Sequence, residues 1–342
     1  MLKRKGIRLK GVGTAAASAI AIAACLTGGI ATATAQTSRA NATQAKPIEF
    51  GFIVQDGTAP FAYDQIEAAK AQAKKDGVKL LTANVQTSDS LALTTEQEFI
   101  NEGAKGLIIV PPSVSIGPAI LSISAKAHVP VIDDDNGPIF NAAGKATYFN
   151  GLNNVEVGQD SGMQLAQLLK ARPTWNASTT AMMVDTTKAE PACNQRTTAS
   201  VATFSKEVPN YKGKFVYINS DDTLTDALTS ASAALELNPS VKHWLVTSCN
   251  DDGVVGVLQA MAAKGITKTT AIGWGMDGSL ACTELVKSNA FYGADYVDFF
   301  GQGVSAFDEM YKYLKDGTPL PATVYLPATP ITRMNYKSVA HC

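Results

Sequence analysis

The chain of 342 residues lacks the common signatures of enzymes and cofactor-binding proteins. It has no CxxC pair, and its three histidines, His128, His243 and His341, are too scattered for a local metal-binding motif. Gly51, Gly57, Gly103 and Gly106 do not form the dinucleotide-binding fingerprint GxGxxG, and the patterns GxxxxGKS/T and GxSxG do not occur. We therefore predict no metal site, no cofactor and no enzymatic activity.

Charge is distributed unevenly at the N-terminus. The first ten residues hold five basic and no acidic side chains, and an uncharged run rich in Ala, Ile, Gly and Thr continues to Arg39. This pattern predicts a signal peptide over 1–35, cleaved after the small residues 33–35, followed by a polar tether over 36–46. The alternative is lipid anchoring through Cys25, because residues 22–25 (IAAC) resemble a lipoprotein box. An uncleaved membrane anchor is disfavoured, since the stretch is only weakly apolar.

No second long apolar stretch follows, so we expect an exported, soluble chain, periplasmic or in the cell envelope. Its length of about 300 residues is enough for two domains. Of 29 basic and 30 acidic residues, removing 1–35 leaves 24 and 30, a net charge of −6. This balance argues against a nucleic-acid partner.

Short apolar segments alternate with helical patterns along the chain, and their Val, Ile and Leu runs are typical of strands buried on both faces. We predict an α/β fold of two doubly wound parallel-sheet lobes with a hinge, a ligand cleft and three crossing segments. The first lobe comprises 47–152 plus 296–325, and the second 153–295 plus 326–342. The predicted strands are 48–54, 78–83, 106–110, 129–134, 146–150, 180–186, 214–218, 243–248, 270–274 and 290–295.

Polar residues follow several of these strands, where ligands bind in open parallel sheets. Asp135 ends a run of three adjacent carboxylates, which need an offsetting group or an exposed tip because they repel one another. Asp135, Asn250 and Asp277 could each bind ligand hydroxyls. The alternatives are a solvated strand tip for Asp135 and a helix N-cap for Asn250, with the same ambiguity for Asp277.

Arg196 and Phe61 are two further candidates. The rigid donor fork of Arg196 suits the ring oxygen and hydroxyls of a sugar, although a surface arginine is the more common case. Phe61, next to Pro60, could stack on the apolar face of a sugar ring or belong to the core.

Four stretches together resemble the periplasmic sugar-binding proteins of ABC importers, of the ribose/arabinose-binding type, over nearly the whole mature chain. These stretches are GAKGLIIVPPSVSIGPAI (103–120), NPSVKHWLVTSCNDDGVVG (238–256), AIGWGMDG (271–278) and ITRMNY (331–336). The resemblance implies a type I periplasmic-binding-protein fold and eight ligand-binding positions: Gln55, Phe61, Asp135, Asn136, Arg196, Asn250, Asp277 and Asp295.

The sequence departs from that pattern at four positions. Ala59 stands where a polar ligand residue is usual, and Asn136 where a charged one is usual. Relative to the arabinose type, Gln55 replaces a lysine and Leu280 an aspartate. These departures leave the identity of the sugar or polyol open.

The resemblance implies a monomeric receptor that captures a monosaccharide or polyol, closes around it and delivers it to the permease of an ABC importer. One alternative is a sugar-sensing module for a membrane signalling protein, which would use the same cleft. Another is an exported carbohydrate-active enzyme, but no carboxylate pair of the kind that glycoside hydrolysis needs can be named from the sequence.

Cys193 and Cys249 follow strands that are neighbours in the usual order of such sheets, so a disulfide between them is expected. Cys282 and Cys342 would form a weaker second pair. The alternative is four reduced thiols.

Overall fold

The computed structural model describes residues 47–135, 137–187, 191–287 and 290–340. The expected signal peptide and tether, the lipid-anchor candidate Cys25, Asn136 and Cys342 lie outside these residues. The described residues belong to one compact unit. Within them, no helix combines the length and apolar character needed to cross a membrane.

The first lobe is a parallel six-stranded sheet covered by helices on both faces. Its strand order is β11-β5-β4-β3-β1-β2. The strands are β1 (Glu49–Val54), β2 (Lys79–Asn84), β3 (Leu107–Ile109), β4 (Val131–Asp135), β5 (Tyr148–Leu152) and β11 (Thr323–Leu326). The helices are α1 (Pro60–Asp76), α2 (Asp89–Glu102), α3 (Gly117–Ala127) and α9 (Phe299–Asp316).

The second lobe repeats this design, with the strand order β12-β10-β9-β8-β6-β7. The strands are β6 (Thr180–Thr186), β7 (Lys214–Asn219), β8 (His243–Thr247), β9 (Ala271–Asp277), β10 (Phe291–Val297) and β12 (Ala328–Thr332). The helices are α4 (Asn154–Lys170), α5 (Pro191–Glu207), α6 (Leu224–Glu236), α7 (Asp251–Ala263), α8 (Ala281–Lys287) and α10 (Tyr336–Val339). Only β12 runs antiparallel to its neighbour, β10, among the named strand pairs of the described residues.

Burial on both faces of the sheets explains the apolar runs in the sequence. In β1, Phe50 and Phe52 pack in one cluster with residues of α1 and α9, whereas Ile53 packs in another with residues of α2 and β3. The helix ends follow local rules. The helix α1 begins with Pro60 and ends before Gly77, which has φ +68° and so adopts the left-handed conformation that glycine tolerates.

Three single residues carry the chain between the lobes. Asn153 joins β5 to α4, Asp298 joins β10 to α9, and Pro327 joins β11 to β12. From the sequence, we predict these three crossings between the lobes after residues 152, 295 and 325. Asn153 and Asp298 also cap the helices that they precede, because their side-chain oxygens accept hydrogen bonds from the backbone N–H groups of Glu156 and Gly301.

Three strands, β7, β9 and β10, are longer than the sequence pattern indicates. The strand β9 continues to Asp277 rather than ending at 274, and β10 continues to Val297 rather than 295. Glycines in β9 weaken its strand pattern. One of them, Gly275, is required by tertiary contact, because a Cβ atom there would collide with Oδ1 of Asp251.

Candidate functional site

Three aspartates end β4, and all three are buried. Asp133 accepts a hydrogen bond from the backbone N–H of Ile139 at 2.7 Å. Asp134 accepts from Nδ2 of Asn150 at 2.7 Å and from Nε2 of Gln302 at 3.0 Å. Burial raises the pKa of Asp133 well above its usual value and that of Asp134 to about 8. The three carboxyls are therefore accommodated without exposure: separate hydrogen bonds hold Asp133 and Asp134, and burial favours their neutral forms.

Asp135 is the aspartate that faces the other lobe. Its backbone φ is +93°, and its Oδ1 is buried without a hydrogen-bond partner in the described part of the chain. Burial raises the pKa of Asp135, and Arg196 of the second lobe opposes this shift, followed by Gln302. An oxygen in this position is available to accept a hydrogen bond from a ligand hydroxyl.

Arg196 lies on α5, and two groups of the second lobe fix its buried guanidinium. Its Nε donates to Oδ1 of Asn154 at 2.7 Å, and its Nη1 donates to the carbonyl oxygen of Cys249 at 3.2 Å. Within the described residues, Nη2 has no hydrogen-bond partner and can donate to a ligand. The arginine is thus oriented before any ligand arrives.

Asp277, the last residue of β9, is also buried beside Arg196 and has φ +122°. Its Oδ1 accepts from the backbone N–H and the hydroxyl of Ser279, both at 2.8 Å. Burial raises the pKa of Asp277 to about 6, against the lowering influence of Ser279 and Arg196. The structure thus places Asp135, Arg196 and Asp277 together at the facing ends of the two sheets.

Asn250 takes the role of a helix cap, which the sequence left as an alternative. Its Oδ1 accepts from the backbone N–H of Gly253 at 2.9 Å, at the start of α7. Its Nδ2 donates to the carbonyl oxygen of Asp222 at 3.0 Å. Both polar ends of this side chain are therefore engaged by the protein.

Gln55 and Phe61 flank the loop after β1 and are half-buried. The ring of Phe61 lies 5.7 Å from that of Phe299, centroid to centroid, and packs on the apolar cluster at the crossing segments. Phe61 therefore contributes to the hinge region as well as being a candidate for contact with ligand.

Asp295 does not end its strand, because β10 continues for two more residues. Its carboxylate is fully buried and accepts a hydrogen bond from Nε1 of Trp274 at 2.9 Å. Burial raises its pKa well above the usual value, with a contribution from Asp160 of α4. This environment favours a structural role on the α4 face of the sheet.

Cys193 and Cys249 are joined by a disulfide, with Cα atoms 4.7 Å apart. The predicted strand order that brings them together is confirmed, because β6 pairs with both β7 and β8. The bond ties the first turn of α5 to the loop between β8 and α7.

A cavity of about 620 Å³ opens between the lobes beside this cluster. Its walls include Val114, Ser115, Pro138, Phe140, residues 153–155, Ala192 and Gln195. Asn154 lines it, but Asp135, Arg196 and Asp277 do not. Because the polar chemistry is concentrated at the strand ends, we assign the candidate site to those ends and treat the cavity as an adjoining, largely apolar space.

Sequence reasoning missed two supporting residues. Asn154 orients Arg196, and Gln302 hydrogen-bonds Asp134 from 168 residues away. Asn154 follows another asparagine at a helix start, so the pattern indicates only a cap. No local signal connects Gln302 to β4.

Comparisons with known proteins agree with the fold. A family model described as "Periplasmic binding protein domain" matches residues 50–319. The L-arabinose-binding periplasmic protein of Escherichia coli strain K12 is 25% identical over 299 residues, covering 86% of this chain and 90% of the relative.

Two solved structures illustrate the shared fold. The Caulobacter myo-inositol binding protein, bound to myo-inositol, has a TM-score of 0.73 at 19% identity, covering 86% of this chain and 96% of that chain. An ABC transporter solute binding protein from Mycobacterium smegmatis with bound glycerol has a TM-score of 0.72 at 20% identity, with the same coverage. The two-lobed architecture is thus the type I fold of these binding proteins, and the chain belongs to the periplasmic binding protein domain family.

Proposed function

We propose that this protein is an extracytoplasmic solute receptor that captures a monosaccharide or sugar alcohol between its lobes and delivers it to an ABC importer. One observation carries the proposal: a carboxylate of one lobe faces an arginine and a carboxylate of the other at buried strand ends. The ligands bound in the two solved structures, myo-inositol and glycerol, are neutral polyols that such groups suit.

Each group has a distinct role in this proposal. Ionised Asp135 and Asp277 accept hydrogen bonds from hydroxyls, and Arg196 donates from Nη2 to a hydroxyl or ring oxygen. Phe61 covers an apolar face of the ligand, and Gln55 and Asn136 are secondary candidates. Closure of the lobes would bury the ligand, as in other hinged binding proteins.

The decisive experiment is a thermal-shift screen of pentoses, hexoses and polyols, including L-arabinose, myo-inositol and glycerol, followed by calorimetry. Asp135→Ala should weaken binding of the best ligand by about 1.5–3 kcal/mol, the range for hydrogen bonds to charged groups. The matched control is Asp133→Asn, which keeps an acceptor for the N–H of Ile139. No binding by any sugar or polyol, or an unchanged affinity in Asp135→Ala, would contradict this site.

We further propose a receptor without catalytic activity, exported and presented to a permease. The members of the family that the chain resembles are binding proteins. Incubation with glycosides should leave them intact by chromatography, and deletion of the partner permease should abolish uptake. Mass spectrometry of the mature protein would separate cleavage near residue 35 from lipid attachment at Cys25.

A further inference from the structure

The disulfide and the side chain of Arg196 both connect α5 to Cys249. Cys193 lies three residues before Arg196 on α5, and the carbonyl oxygen of its bonded partner, Cys249, accepts from Nη1 of Arg196 at 3.2 Å. The Sγ atom of Cys249 is 3.9 Å from the same nitrogen. The covalent bond therefore limits the distance between the helix that carries the guanidinium and the carbonyl that orients it.

The residues around the disulfide also fit Cys193 and Cys249 in their reduced, thiol form. Oδ2 of Asp222 lies 3.3 Å from Sγ of Cys193. A bonded sulfur carries no hydrogen, so this contact becomes a hydrogen bond only when Cys193 is a thiol. Asn250 holds the backbone of Asp222 in place at 3.0 Å. Reduction would thus give Cys193 another partner and release α5 from the Cys249 loop.

We propose that the Cys193–Cys249 disulfide is a positioning element for Arg196, so that the receptor binds its ligand at full strength only when oxidised. This inference rests on the proposed function. Oxidation proceeds by thiol–disulfide exchange: the two thiols lose two protons and two electrons, and an external disulfide takes them up to become two thiols. Such oxidants act outside the cytosol. The chain would therefore bind weakly before export and strongly after it.

The first test compares calorimetric affinities of the oxidised full chain, the dithiothreitol-reduced chain and the Cys193→Ser/Cys249→Ser variant. The probes are L-arabinose, myo-inositol and glycerol. We expect roughly tenfold weaker binding without the bond, since a hydrogen bond to a charged group is at stake. Cys282→Ser is the control for the other cysteines and should bind like wild type. In an Arg196→Lys background, loss of the disulfide should cause no further weakening.

The second test needs no ligand. Exchange of the Arg196 Nε–H proton, assigned by its absence in Arg196→Lys, should be at least about tenfold faster in the reduced or Ser-substituted protein, because its bond to Asn154 loosens. Circular dichroism before and after reduction shows that the fold persists. If no probe binds the oxidised wild type, the proposed function fails. The exchange rate of the Arg196 Nε–H proton then still shows whether the disulfide positions Arg196. Unchanged exchange, or unchanged affinity for a probe that binds, overturns this inference.

Discussion

The two halves of the candidate site are prepared to different degrees. In the second lobe, Arg196 is held by Asn154 and the Cys249 carbonyl, and Asp277 by Ser279. In the first lobe, Oδ1 of Asp135 is buried without a partner among the described residues. A buried unsatisfied oxygen costs about 1–3 kcal/mol. At this site, the second lobe therefore presents side chains that are already oriented, whereas the first lobe presents a carboxylate oxygen that is free to accept a hydrogen bond from a ligand.

The largest expected effect tests the covalent part of this difference. The Cys193→Ser/Cys249→Ser variant lacks the disulfide, which joins two residues with a sequence separation of 56. The chain-entropy model gives a loss of about 4 kcal/mol in the free energy of unfolding for a loop of this size. Urea denaturation of the variant and of oxidised wild type measures it. A loss below about 1 kcal/mol would mean that the second lobe does not depend on the bond.

Stability should also respond to pH, and Glu96 of the first lobe offers a case that lies away from the candidate site. Its buried carboxyl accepts a hydrogen bond from Ser124 at 2.6 Å, and burial raises its pKa from 4.5 to about 7. Between these values the unfolded chain releases the proton that the folded chain keeps. Stability therefore falls as pH rises from about 4.5 to 7, by a few kcal/mol.

Glu96→Gln keeps the acceptor for Ser124 but cannot ionise. The variant should match wild type near pH 4.5 and exceed its free energy of unfolding by about 3 kcal/mol at pH 8. Urea titrations at both pH values test this, with the exposed Glu98→Gln as control. An equal difference at both pH values would show that ionisation of Glu96 is not the cause.

Affinity should be lost for different reasons in the two lobes. Arg196→Lys keeps the charge but loses the planar fork, so binding should weaken by about 1.5–3 kcal/mol. Phe61→Ala should weaken it by about 1 kcal/mol through lost ring contact. Calorimetry measures both, and circular dichroism checks the packing of Phe61 against Phe299. Wild-type affinity in both variants would show that the residue assignments are wrong while leaving the fold intact.

Local signals predicted most of the fold, and long-range contacts account for what they missed. Apolar runs and the cap at Gly77 located the strands and helices, because these features depend on near neighbours. The end of β9 was placed too early, since the reason for Gly275 is a contact with Asp251. The pairing of Gln302 with Asp134 arises only after folding. Asp135 and Arg196 were candidates from their positions after strands and from the resemblance, but the unpaired oxygen of Asp135 and the hydrogen bonds that orient the Arg196 guanidinium required the structure.

The smallest expected effect separates capping from ligand binding at Asn250. Asn250→Ala removes the acceptor for the N–H of Gly253 and should cost about 1 kcal/mol of stability. Asn250→Ser keeps a capping oxygen but loses the amide donor to Asp222. Thermal unfolding should therefore show a loss in the alanine variant that the serine variant largely avoids. If Asn250 only supports the second lobe, calorimetry should give near-wild-type affinity for Asn250→Ser. A tenfold loss of affinity at unchanged stability would instead place its amide against the ligand, and the oriented side chains of the second lobe would then include one that must exchange partners on binding.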